Sequence, residues 1–170
     1  MRAHKSVCRG YGRRVSSPLN RLGADMHGRD LYLLELRAWE DWPLELHLPS
    51  ERFCLLVAGN ARGEDQQAIR TFASKALTAG CVYACAWGPG CELVHDTFDS
   101  TFNETKNSGG PVVMTTWHED ESLEQALYFL MRDAWPSDIW IGSCRASVVA
   151  VIASDGWAAE VRRLVHLTAI

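Results

Sequence analysis

Apolar and polar positions along the chain fall into blocks. Phe53-Cys54-Leu55-Leu56-Val57-Ala58 is an unbroken apolar run stopped by Gly59. A run with no alternation predicts a strand covered on both faces. Ala68, Ile69, Phe72, Ala73, Ala76 and Leu77 then recur at helical spacing, and Gly80 is placed to stop the helix. Cys81 to Trp87 is a second apolar strand, closed by Gly88-Pro89-Gly90. A second helix carries Val94, Phe98 and Phe102 on one stripe and runs into a link at Asn107-Ser108-Gly109-Gly110. Val112 to Thr116 reads as the third strand. Leu123, Ala126, Leu127, Leu130, Met131 and Ala134 form the clearest helical stripe, ended by Pro136. Ser147 to Ala153 is the last strong strand, and Trp157, Val161, Leu164 and Val165 mark a closing amphipathic helix.

Three weaker segments flank this core. Leu31 to Leu36 is apolar and fits strand or helix. Leu44-Glu45-Leu46-His47-Leu48 alternates between Pro43 and Pro49 and reads as a short edge strand. Ile139-Trp140-Ile141 is a short apolar piece, a further candidate for an edge strand.

Strand and helix alternate four times with short connections, which calls for an α/β fold. The expected architecture is a three-layer sandwich of Rossmann-like kind. It has a short, mainly parallel sheet of about four core strands, helices on both faces and a possible extra edge strand. The length of 170 residues suits one domain.

Charge alters the reading at the amino terminus. Residues 1–25 hold six Lys and Arg against one acid, Asp25, while residues 26–170 hold eleven bases against twenty acids. The first segment reads as a basic arm, either a disordered tail or an upstream extension with Met26 as the natural start. Residues 26–170 read as the domain. An acidic domain lacks the clustered cations that neutralise phosphates, so nucleic acid is not its expected partner. No apolar run approaches the roughly 20 residues of a membrane helix, and no signal-peptide core is present. The six cysteines then read as reduced cytoplasmic thiols, with Cys54, Cys81 and Cys85 buried in or beside strands.

In open α/β sheets, ligands bind beyond the carboxyl ends of the strands. That rule selects the loops at Gly59–Gly63, Gly88–Glu92, Trp117–Asp120 and Ser154–Gly156. Familiar chemistries fail there. No Gly-Lys-Ser/Thr completes a P-loop after Gly59, and Leu93 stands where a dinucleotide fingerprint needs its third glycine. There is no nucleophile elbow, and no cysteine from Cys54 onward has an arginine six residues on, as a cysteine-phosphatase loop requires.

Two constellations remain. Cys91, His95 and Asp99 are spaced by four and stack along one helical line, with Cys91 in the first turn, where the dipole favours thiolate. The same line also reads as a solvated stripe. His118-Glu119-Asp120-Glu121 groups acids with a histidine at a strand end, a set able to hold Mg²⁺ or move protons. The acids also fit a helix start, where Ser122-Leu123-Glu124-Gln125 matches a capping box. Arg62 can meet an anion or pair with Glu64 or Asp65. Trp87 and Trp117 can face a ligand or pack under loops. Asn60, Glu119 and Asp155 complete the candidate ligand-binding residues. No metal-ligand set is complete, and no motif calls for a cofactor.

The stretches Cys81-Val-Tyr-Ala-Cys-Ala-Trp-Gly-Pro-Gly-Cys-Glu-Leu-Val-His-Asp-Thr-Phe-Asp99 and Val112-Val-Met-Thr-Thr-Trp-His-Glu-Asp-Glu-Ser122 resemble a family of small bacterial α/β domains of unknown function. The likeness covers about residues 27–168 and implies a bacterial cytosolic protein. It carries no activity, cofactor or site residue with it.

The sequence therefore favours a non-catalytic binding or regulatory domain engaging a protein or small molecule at the strand-end rim. The alternative is a small hydrolase or transferase built on Cys91, His95 and His118. The enzyme needs a concave pocket with Cys91 or His118 facing it. The binding module needs an apolar rim carrying Trp87 or Trp117.

Overall fold

The computed structural model describes residues 19–105 and 111–168. Most of the basic arm and the link at 107–110 therefore lie outside the described residues.

Six strands form one sheet in the order β1-β2-β6-β3-β4-β5, comprising β1 (Leu19–Ala24), β2 (Asp30–Leu36), β3 (Arg52–Ala58), β4 (Cys81–Trp87), β5 (Met114–His118) and β6 (Cys144–Ile152). Strands β2 to β6 are mutually parallel, and β1 joins β2 antiparallel. One face is covered by α1 (Gln66–Thr78) and α2 (Cys91–Thr105), whose Ile69, Phe72, Val94 and Phe98 meet Phe53, Leu55 and Val57. The other is covered by α3 (Leu123–Arg132) and α5 (Asp155–Thr168), whose Leu127, Leu130, Val161 and Leu164 meet Cys54, Leu56 and Cys85. This is the expected three-layer sandwich. The unbroken apolar runs are buried on both sides, as a parallel sheet under two helical layers requires.

Several boundaries differ from the sequence reading. The run Leu31–Leu36, open between strand and helix, is the parallel strand β2. Residues 19–24, assigned to the arm, form the edge strand β1, so the fold begins upstream of Met26. The alternating segment 44–48 is not a strand. Leu46 and Leu48 pack against the α1/α2 core while Leu44 is fully exposed, and β1 and β5 occupy the sheet's two edges. Ile139–Ile141 lies in the one-turn helix α4 (Asp138–Ile141) rather than an edge strand. The third strand starts two residues later than expected, because its ladder is set by pairing with Tyr83–Trp87 and not by its own apolar residues. The stop at Gly80 holds, since a Cβ there would lie 1.9 Å from the Glu51 carbonyl oxygen. The capping box between Ser122 and Gln125 is formed in both directions.

A buried ion pair closes the amino-terminal edge of the sheet. Arg29 Nε donates to Asp25 Oδ2 at 2.5 Å, and both side chains are almost fully enclosed. Asp25 also accepts from the His27 and Arg29 amides and from Ser147 Oγ on β6. Arg29 Nη1 donates to Cys54 Sγ and to the Ala134 carbonyl just beyond α3, and Nη2 donates to the Leu130 carbonyl at its end. Among the described residues, no helix is long and apolar enough to cross a membrane.

Two outcomes follow from this packing. Asp25→Ala leaves a buried guanidinium without its counter-charge and should cost about 3–5 kcal/mol in urea unfolding. Removing residues 1–25 should cost at least as much, with β1 lost too, whereas a change under about 1 kcal/mol in the point variant would refute the account. The thiols set the alkaline limit. Burial pushes Cys85 up to about 12 and raises Cys81 further, above the ordinary thiol value of about 8.5. The unfolded chain sheds these protons first, so their contribution is intact below about pH 8.5 and falls as pH rises from there through about 12. Chemical denaturation across that range should show stability falling, and a flat profile would contradict it.

Candidate functional site

Because β2 to β6 run parallel, their carboxyl ends share one edge, and Asn60, Cys91, His118 and Asp155 all lie along it. The chain passes from β3 through α1, β4 and α2 outward to β5, then crosses back so that β6 pairs on the other side of β3. The segment after β3 therefore leads to one helical layer and the segment after β6 to the other. Between those diverging segments the edge must open, and it does so in a cavity of about 410 Å³.

Arg37 and Trp39 after β2, Asn60 and Glu64 after β3, and Ser154 and Trp157 around the start of α5 line this cavity. Hydrogen bonds between and within the loops hold them in place. Ala153 N–H donates to Leu36 O at 2.8 Å, Ala61 N–H to Pro89 O at 2.8 Å, and Ser154 Oγ accepts from Trp157 N–H. Asn60 Oδ1 accepts from Arg62 N–H at 3.0 Å, which holds the β3 loop in a turn. A Cβ on Gly59 would come 2.9 Å from the Trp39 ring, so only glycine lets that indole lie against the loop. Ala153 has φ +53°, among the described residues the only non-glycine with positive φ. That left-handed residue turns the chain from β6 into α5 at the cavity wall. Arg37 is exposed and makes no ion pair or side-chain hydrogen bond with another described residue.

Further along the edge the sequence-derived candidates separate. Cys91 is buried in the α1/α2 layer with Val94 and Phe98, and burial raises its thiol pKa against a smaller downward pull from backbone hydrogen bonding at His118. The expected dipole-activated thiolate is thus corrected to an enclosed thiol. His118 points the opposite way. Its ring packs on Phe129 of α3, Nδ1 lies 2.9 Å from Glu121 Oε2, and Nε2 lies 3.3 Å from Thr116 Oγ1. Cys91 and His118 therefore occupy separate environments on opposite faces of the sheet, and neither lines the strand-end cavity.

His95 packs against Trp117 with the rings tilted and their centroids 4.5 Å apart, and sits near Asp96 and Asp99, while Asp99 accepts from Thr115 Oγ1 at 2.6 Å. Trp117 is half exposed. Trp87 packs edge-on against Trp157 and donates from Nε1 to Glu121 O at 2.8 Å, so it lies beneath the loops. Arg62 forms no ion pair with Glu64 or Asp65. Glu119 and Asp155 are exposed, and Asp155 opens α5. Of the candidates, Asn60 alone lines the cavity, and Asp155 adjoins it in sequence. Among the described residues, no group of three or more His, Cys, Asp or Glu is placed to hold a metal ion.

The family model for the domain of unknown function DUF7684 matches residues 31–166. The chain belongs to that family. No curated protein and no solved structure matches it. The DUF7684 match takes in every residue lining the cavity, from Arg37 to Trp157.

Sequence reasoning missed Arg37, Trp39 and Ala153. The signal for Arg37 was present, since it follows Leu31–Leu36 directly. Once that run is a parallel strand, the strand-end rule selects the residue after it.

The left-handed turn at Ala153 gives a direct test. Ala153→Gly removes the Cβ penalty, so it should be neutral or stabilising by up to about 1 kcal/mol despite the added chain entropy. Ala153→Val should destabilise by more than about 1 kcal/mol. Denaturant midpoints decide, and a glycine variant weaker than wild type by more than about 1 kcal/mol would remove the strain argument.

Proposed function

We propose that this protein is a cytosolic, non-catalytic binding domain whose ligand is a small organic anion with a flat apolar part. The ligand sits in the cavity between the ends of β2, β3 and β6. The observation that carries the reading is Arg37, a cation with no partner among the described residues, beside a cavity walled by Trp39 and Trp157. Its volume of about 410 Å³ falls in the range of small-molecule sites. Arg37 would meet the anionic group through its fork of N–H donors, and the indoles would flank the flat part. Glu64 on the same wall would accept from a hydroxyl or amine. Burial of Cys91 and the division of Cys91 from His118 favour binding over proton-transfer chemistry at this edge.

A thermal-shift screen of small aromatic carboxylates and phosphates, paired with their uncharged analogues, tests the reading. At least one anion should raise the midpoint and quench tryptophan fluorescence, and its neutral analogue should not. Arg37→Ala should weaken that binding by roughly tenfold or more and leave the ligand-free midpoint unchanged. An absence of hits, or hits indifferent to Arg37→Ala, would sink it.

A further inference from the structure

The opposite edge of the sheet holds a second arrangement. Cys54 of β3 and Cys144 of β6 face the same side, with their sulfurs 3.7 Å apart and Arg29 Nη1 2.8 Å from Cys54 Sγ. A small cavity of about 60 Å³ runs in to Cys144 between His27, Arg29, Trp135 and Ile141, of which Trp135 and Ile141 are exposed. It has room for a few water-sized molecules. Cys54 is completely enclosed and does not line it.

We propose that Cys144 and Cys54 form a peroxide-oxidisable dithiol, with Cys144 oxidised first and Cys54 resolving it. Three features divide the roles. Only Cys144 lines the cavity. The two sulfurs lie within hydrogen-bonding reach of each other, and that contact with the Arg29 charge draws the Cys144 pKa down, while the same contact and burial drive Cys54 up. Thiolate, the form that attacks, therefore collects on the reachable sulfur.

The chemistry needs one co-reactant, a hydroperoxide. The Cys144 thiolate attacks the terminal peroxide oxygen, an S–O bond forms as the O–O bond breaks, and the leaving alkoxide takes the proton that Cys144 gave up. Cys54 sulfur then displaces hydroxide from the sulfenic acid, and its own proton leaves with that hydroxide as water. Two thiols are oxidised by two electrons to one disulfide, and the hydroperoxide is reduced to an alcohol and water. The sulfurs must close by about 1.7 Å. Cys144 is the first residue of β6, follows Gly142 and Ser143, and adjoins the register irregularity between Arg52 and Phe53, so its backbone is the less constrained of the two.

The test treats the full chain, carrying Cys8→Ser, with a few equivalents of hydrogen peroxide and maps thiols by peptide mass spectrometry. A Cys54–Cys144 disulfide that dithiothreitol reverses is expected. With Cys54→Ser, dimedone should trap a sulfenic acid on Cys144 at least about tenfold faster than on Cys81, Cys85 or Cys91. Should Cys54→Ser not fold, dimedone added during oxidation of the Cys8→Ser chain gives the same ranking. An unmodified Cys144, a preference for another thiol, or oxidation of Cys144 without linkage to Cys54 would each overturn the proposal.

Discussion

A guanidinium inside a protein is tolerated only if its N–H groups find acceptors and its charge finds a partner. Arg29 imposes that condition on the amino-terminal edge of the sheet. Its partners come from the β1–β2 turn, from β3 and from the end of α3, while Asp25 passes the contact on to Ser147 of β6. Few local rearrangements keep all of them, so the turn, the two central strands and one helical layer are held in a single arrangement. The apolar layers supply most of the burial energy, but they would accept small sliding of α3 along the sheet. The directed bonds of Arg29 do not.

With that edge closed by polar contacts, the opposite edge is left to open. Inserting β6 between β2 and β3 sends consecutive connections to opposite faces, and the backbone diverges where β3 and β6 end. The turn at Ala153 and the Trp39 ring against Gly59 shape the gap. The sheet thus has two chemically distinct ends. One is a cluster of carboxylate, guanidinium and thiols, and the other a solvent-facing crevice with an arginine that is unpaired among the described residues.

The candidate residues show why spacing alone misleads. Cys91, His95 and Asp99 share a helical line, but Cys91, Val94 and Phe98 share another at steps of three and four, and that one faces the sheet. A residue on both lines goes with the apolar one, because burying its neighbours carries it inward. Asp25 was misassigned for a related reason. Composition grouped it with the basic residues before it, whereas its partners lie four residues ahead at Arg29 and across the sheet at Ser147.

The alternation of β3, α1, β4, α2, β5, α3, β6 and α5, the double burial of β3, β4 and β6, the capping of α3 and the sheet edge on which the loops converge were legible in the chain. Each rests on residues within a turn or two of one another, where periodicity and propensity act. Tertiary structure alone decided the place of β6, the recruitment of β1, the face toward which each histidine and cysteine points, and the meeting of Arg37, Asn60 and Trp157 at one crevice. Those depend on contacts between segments that local periodicity does not join, more than a hundred residues apart where β2 pairs with β6, and local pattern cannot specify a partner that it does not touch.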